Sequence, residues 1–236
     1  MLLVVLPLHN TVQPYPWGSR TAMVELFGIP NPDDGPMAEL WMGAHPKAPS
    51  RVRLPEGEVA LDEYIATDPK RILGAATAER YGGRLPFLFK ILAAAEPLSI
   101  QAHPTLEQAQ EGFAREQAAG IPRDADNRNY RDDNHKPELI YAVAPFWGLR
   151  GFRSASEIRA DFEPLGSGAM GKVRLPGSDR EIASFFRALM SLEAPARAAL
   201  VEAAVKRARG LWPDTGRAPA LDEPEARYFW IRRLAE

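Results

Sequence analysis

Two short polar clusters in apolar surroundings hold the residues of this chain best suited to chemistry: Ser99-Ile100-Gln101-Ala102-His103-Pro104 and Asn134-His135-Lys136-Pro137-Glu138. In a β-strand, side chains two apart share a face. Strand geometry at both clusters would project Gln101 with His103, and Lys136 with Glu138. An imidazole, a carboxylate and an amide oxygen meeting at one point make a candidate divalent-metal site, with Lys136 beside it as a titratable group. The clusters lie 35 residues apart, so only the fold can bring them together. Three ligands do not complete a structural zinc site, which takes four.

Each element of this reading has a plainer competitor. Gln101 and His103 also suit a hydrogen-bonded pair on a sheet face. His135 and Lys136 also suit a solvated basic turn after Arg131-Asp132-Asp133. If Glu138 faces a metal, the strand period turns Lys136 inward with it, where a neighbouring dication suits it to acid–base work. Lys90 sits inside Phe87-Leu88-Phe89-Lys90-Ile91-Leu92. An unpaired buried lysine is costly, so it reaches water, meets an anion, or guards a strand edge. Gln13-Pro14-Tyr15-Pro16-Trp17-Gly18-Ser19 and Glu39-Leu40-Trp41-Met42-Gly43 offer aromatics either to a sugar pocket or to core and turn packing. His9 and His45 carry no ligand spacing.

Composition narrows the chemistry. With 236 residues, 45% hydrophobic and 25% charged, the chain is ordinary for a globular protein. The net charge is −2, so no global basic field draws nucleic acid or anionic lipid. There is no cysteine. Disulfides, thiolate zinc and cysteine nucleophiles are therefore excluded, and metal ligands must be His, Asp, Glu or amides. Gly-rich phosphate loops, a G-x-S-x-G elbow and H-E-x-x-H are all missing. No apolar run approaches the roughly 20 residues of a membrane span. Met1–Pro7 lacks a basic n-region and reads as a first strand, which makes a cytoplasmic protein the expectation.

Positioning falls to a β-rich region followed by a helical one. Strands are expected at Leu2–Leu8, Arg51–Leu54, Phe87–Leu92, Leu98–His103 and Leu139–Val143, between Pro- and Gly-containing loops. Helices are expected at Leu61–Leu73 and Thr105–Ala119, the second with a Thr105/Gln108 capping box and Gly120 beyond its end. Arg123–Asp133 is a polar, charge-dense loop. From Ser154 on, capping-box spacings recur at Ser154/Glu157 and Ser178/Glu181. Ile182, Phe185, Phe186 and Leu189 form an amphipathic stripe. Further helices are expected at Ala194–Arg209, closed by Gly210, and at Pro224–Leu234. The chain stops inside a helical pattern, Trp230–Glu236, and shows about five strands where a jelly roll closes with about eight. It therefore reads as a piece of something longer.

These segments together resemble the type I mannose-6-phosphate isomerases of the cupin superfamily. The matching stretches are Tyr15-Pro16-Trp17-Gly18, Ala38-Glu39-Leu40-Trp41-Met42-Gly43-Ala44-His45-Pro46, Leu85–Lys90 with Leu98–Pro104, and Asp132–Leu139. The resemblance implies a mainly β fold with α: an incomplete cupin-type jelly roll over residues 1–153 and an inserted helical domain over 154–236. The C-terminal cupin region of the family would be absent. It implies reversible isomerisation of mannose 6-phosphate and fructose 6-phosphate through a cis-enediol, with one Zn2+ per site. By motif position, Gln101, His103 and Glu138 would hold the zinc, while Lys136 and His135 would move protons. Ser99 and Lys90 would bind the sugar phosphate, and Glu39 and Trp17 would wall the pocket. The fourth zinc ligand of the family is a later histidine, and no histidine follows His135. Two other classes fit the residues: a non-catalytic sugar-phosphate- or metal-binding cupin module, and one half of an obligate assembly. The partner implied is a sugar phosphate, with neither nucleic acid nor membrane.

Overall fold

The computed structural model describes residues 5–98, 101–149, 151–212, 218–220, 223 and 225–235. It divides into two compact units, Met1–Ile100 and Gln101–Glu236.

The first unit is built on two three-stranded antiparallel sheets. In chain order its elements are β1 (Leu8–His9), β2 (Thr11–Gln13), α1 (Ala22–Phe27), β3 (Glu39–Met42), β4 (Arg51–Leu54), β5 (Gly57–Ala60), α2 (Leu61–Thr67), α3 (Pro69–Leu73), α4 (Ala75–Arg80) and β6 (Phe89–Leu92). One sheet runs β1-β4-β5 and the other β2-β3-β6. The expected helix over Leu61–Leu73 is broken at Asp68. Proline disfavours helical backbone in the residue before it, and the Asp68 carboxylate instead caps α3 by accepting from the Arg71 amide at 3.1 Å.

The second sheet sorts its residues by the strand period of two. Val12, Leu40 and Ile91 pack with Met23 of α1, Met37 and Ala93 into a small core. Their alternates, Gln13, Glu39, Trp41 and Lys90, are brought side by side by the register, which sets Gln13 opposite Glu39 and Lys90 opposite Trp41. Directly opposed residues of an antiparallel pair share a face. One face of this sheet is therefore core, and the other gathers a carboxylate, an indole and an ammonium.

Gly18 sits where the chain presses against β3. A Cβ there would lie 2.4 Å from the Ala38 amide nitrogen and 2.6 Å from its Cα. The obstacle is backbone, which cannot rotate away. Gly18→Ala is expected to cost about 1–3 kcal/mol, the usual range for overpacking. An unchanged thermal midpoint would contradict this packing.

The second unit begins with α5 (Leu106–Ala118) and continues through a long stretch, without strands among its described residues, to α6 (Ala155–Phe162), α7 (Gly166–Met170), α8 (Ile182–Met190), α9 (Ala194–Leu211) and α10 (Ala226–Ala235). Both expected capping boxes at Thr105 and Ser154 form, with reciprocal side-chain and backbone bonds. The one at Ser178 does not. Residues Asp179–Glu181 are a 3-10 turn, and the Glu181 carboxylate accepts from the Gly177 amide at 3.0 Å. Ile158, Met170, Phe185 and Leu200 form one helical core, and Ala208, Trp212 and Tyr228 another. Gly210 lies inside α9 rather than after it.

Three expected strands are corrected. Among the described residues Gln101–His103 and Leu139–Val143 carry no strand, and of the expected Leu2–Leu8 only Leu8 lies in one, with Val5 84% exposed; residues 2–4, Ser99 and Ile100 lie outside the described residues. A strand needs a neighbour for its N–H and C=O groups. Here the apolar run is laid open instead, with Leu139 97% and Tyr141 85% exposed. Among the described residues no helix is long and apolar enough to cross a membrane.

Candidate functional site

In the second unit, His103 and Glu138 meet. His103 Nε2 lies 3.1 Å from Glu138 Oε2. His103 lies just ahead of the N-cap of α5, and Glu138 follows the loop that returns from its far end. Their side chains are 40% and 55% exposed, so solvent and small solutes reach both. An imidazole nitrogen and a carboxylate oxygen are ordinary zinc donors. Two such ligands at about 2.0–2.1 Å from a tetrahedral ion stand about 3.3 Å apart, so this pair needs to open by only a few tenths of an ångström. Gln101 is exposed two residues before His103. With no strand here, the period of two does not align its amide with the imidazole. Among the described residues no group of three or more His, Asp or Glu side chains is gathered in metal-holding fashion. The donor chemistry fits zinc, and the pair supplies two of the three protein ligands a catalytic zinc usually has.

The residues around Glu138 are arranged by Asp132. Its Oδ1 accepts from the Asn134 amide at 3.0 Å, a local turn bond typical of aspartate. Its Oδ2 pairs with Lys136 Nζ at 3.4 Å, with both side chains well exposed. His135 is exposed as well. Asp132 was not singled out in the sequence. Its signals there are the i,i+2 Asp–Asn and i,i+4 Asp–Lys spacings.

In the first unit, Lys90 meets an anion. Its Nζ donates to Glu39 Oε1 at 3.2 Å, while Glu39 Oε2 accepts from Trp41 Nε1 at 2.6 Å. Glu39 is only 6% exposed. A carboxylate that far from water requires such partners. Trp41 also takes the His45 ring edge-on, with centroids 4.7 Å apart. Lys47 Nζ lies over both the Tyr15 and Trp41 rings and donates to the Tyr15 hydroxyl at 2.9 Å. Trp17 stacks on Tyr15 with centroids 5.7 Å apart. Lys47 is the member the sequence reading missed, because an exposed lysine after His45-Pro46 has no pattern of its own.

The second unit holds carboxyls whose pKa is lowered by hydrogen bonding, Glu116 among them. Glu116 is held below the ordinary glutamate pKa, chiefly by the Tyr130 amide; burial opposes this, and Asn129 and Arg128 add to the lowering. A lowered native pKa contributes stability that is complete above the ordinary value and is lost as pH falls below it toward the native one. Acid unfolding should therefore show a steeper loss in that window for the native chain than for Glu116→Gln. Superimposable pH profiles would refute the assignment.

With this geometry in view, known proteins give a clear comparison. The family model "Phosphomannose isomerase type I, catalytic domain" matches residues 5–155. The chain belongs to that family. The mannose-6-phosphate isomerase of Escherichia coli (strain K12) is 55% identical over 159 residues, covering 67% of this chain and 40% of the relative. That of Homo sapiens is 39% identical over 165 residues, covering 65% and 36%. A solved structure of the Salmonella typhimurium enzyme, bound to its substrate fructose 6-phosphate and to zinc, superposes with a TM-score of 0.80 at 41% identity, covering 98% of this chain and 56% of that one. Other solved forms of the Salmonella typhimurium enzyme carry substitutions at a lysine, a histidine or a glutamate. The chain thus spans about half the length of the relatives it matches.

Proposed function

We propose that this chain carries the zinc-dependent, reversible isomerisation of mannose 6-phosphate and fructose 6-phosphate through a cis-enediol. The observation that carries the reading is the pairing of His103 and Glu138 at 3.1 Å across 35 residues of chain. The substituted lysine, histidine and glutamate of the Salmonella typhimurium enzyme support it. They stand thirteen and then thirty-five residues apart. Lys90, His103 and Glu138 repeat those residue types at those separations.

In this reading Gln101, His103 and Glu138 hold one Zn2+ per site. Bound there, the ion supplies Lewis-acid stabilisation to the oxyanion that develops on the sugar. Lys136 and His135 move protons: one opens the sugar ring, and one carries the proton between C1 and C2. Both are exposed and reachable by a substrate. Lys90 and Ser99 bind the sugar phosphate; Ser99 lies outside the described residues. Glu39 fixes the Lys90 ammonium, and Trp17 offers an aromatic face. The chain is read as a cupin-type region over 1–153 with an inserted helical domain over 154–236, in a cytoplasmic protein.

Nuclear magnetic resonance of mannose 6-phosphate in D2O with the zinc-loaded chain tests this directly. Fructose 6-phosphate should appear, with deuterium at the exchanging carbon. Zinc binding without conversion would support the non-catalytic binding module instead. A second reading, assembly with another polypeptide, is favoured by the exposed Leu139–Val143 run. It predicts a complex rather than a monomer in light scattering.

A further inference from the structure

The 34 residues between His103 and Glu138 fold around an ion pair that none of the proposed roles uses. Glu116, on the last turn of α5, accepts from the Tyr130 amide at 2.8 Å and from the Asn129 amide and Nδ2 at 3.2 and 3.0 Å. It also pairs with Arg128 Nε at 3.1 Å, and the Arg128 side chain is 0% exposed. Arg128 in turn donates to the carbonyls of Ile121 at 2.6 Å and Tyr130 at 2.7 Å, pinning both ends of the loop. Its guanidinium lies 5.1 Å from the centre of the Phe113 ring. Tyr130 closes the unit by lying so near α5 that a Cβ on Gly112 would stand 2.5 Å from its ring.

This arrangement fixes one thing of functional use. His103 stands two residues before Thr105, the N-cap of α5, and the chain that bears Glu138 leaves from Tyr130, whose amide donates to Glu116. The direction in which that chain leaves the helix is set where Glu116 and Arg128 grip residues 121–130. A buried pair of this kind loses its geometry when either partner goes, because the other charge is left without compensation. We propose that Glu116 and Arg128 are positioning residues that hold Glu138 against His103, and so set the affinity of the metal pair. The proposal rests on the reading that His103 and Glu138 bind zinc.

The test uses the full chain and two readouts. Zinc affinity is measured by competition with a chromogenic chelator for the native chain, Glu116→Gln and Arg128→Lys. Phe185→Leu, in the separate helical core, serves as a control of lowered stability. Because the chain has no cysteine, Glu107→Cys with Leu139→Cys accepts two spin labels whose distance distribution reports the geometry without metal. Glu116→Gln and Arg128→Lys should each weaken zinc binding by about 10- to 100-fold, as outer partners of metal ligands do, and broaden the distance distribution. Phe185→Leu should change neither. Unchanged affinity, an unchanged distribution in the Glu116 variant, or an equal effect in the control would overturn the proposal. If the native chain itself binds no zinc, the proposed function fails, and the distance distribution alone decides the positioning role.

Discussion

His103→Ala should abolish zinc retention. The imidazole is one of the two donors that the chain brings within 3.1 Å of each other. Its loss leaves a single carboxylate and the exposed Gln101 amide. Partners outside the coordination sphere are already worth about 10- to 100-fold in metal affinity, so removing a ligand should cost more than that. The fold should not follow. His103 is half exposed and lies outside the α5 cap, whose Thr105 Oγ1 accepts from the Gln108 amide at 3.2 Å independently of it. The metal-free thermal midpoint should therefore move by no more than a surface substitution does, within about 0.5 kcal/mol. Calorimetric titration with zinc checks the first half, and thermal unfolding of the metal-free variant beside the metal-free native chain checks the second. Affinity within about threefold of native, a difference under 1 kcal/mol, would remove His103 from the site.

Lys136→Met should lower kcat by about 10²- to 10⁴-fold, the range a positioned acid or base supplies, while zinc content stays unchanged. Its native partner is Asp132 at 3.4 Å, and both side chains are exposed. Exposed pairs of this kind contribute about 0–1 kcal/mol. Lost stability therefore cannot imitate the catalytic defect. The split between kinetic constants decides the role. A change confined to KM would make Lys136 a binding residue rather than a proton carrier.

The elements that were legible are those whose signals are local. Thr105 with Gln108 and Ser154 with Glu157 satisfy helix-end donors from within their own turn, and both caps form. The apolar stripe of α8 buries Phe185. The strand at Arg51–Leu54 alternates polar and apolar residues, and that at Phe89–Leu92 lies within a nearly continuous apolar run. β3 has no strand signature in the sequence because Glu39 and Trp41 occupy its buried positions, reversing the pattern in which the polar side faces water. Ser178 and Glu181 have the spacing of a capping box, but Gly177 offers the carboxylate a different donor. At Leu139–Val143 the apolar run did read as a strand. Strand formation is decided by a neighbour, and no stretch of sequence contains its own.

The same distinction runs through the site. Residue types and motif order drew attention to His103 and Glu138, but the period-of-two argument that aligned Gln101 with His103 and Lys136 with Glu138 has no strands to act on. The pair instead meets by way of α5 and the loop that returns over it. Glu116 and Arg128 were invisible for a related reason. A glutamate in a polar helix and an arginine in a charge-dense loop look solvated until tertiary contact buries both. Lys90 lay between these cases. Its cost as a lysine in an apolar run predicted a partner without naming it, and the register of β3 with β6 supplies Glu39.

The proposed activity depends on zinc held by His103 and Glu138. The most direct measurement strips the chain with a chelator, restores stoichiometric zinc, and follows mannose 6-phosphate conversion in a coupled assay at each stage. Activity that disappears on stripping, returns with about one zinc per chain and is never seen in His103→Ala is the predicted result. Conversion that persists in the stripped chain, or that zinc restores equally to His103→Ala, would contradict it.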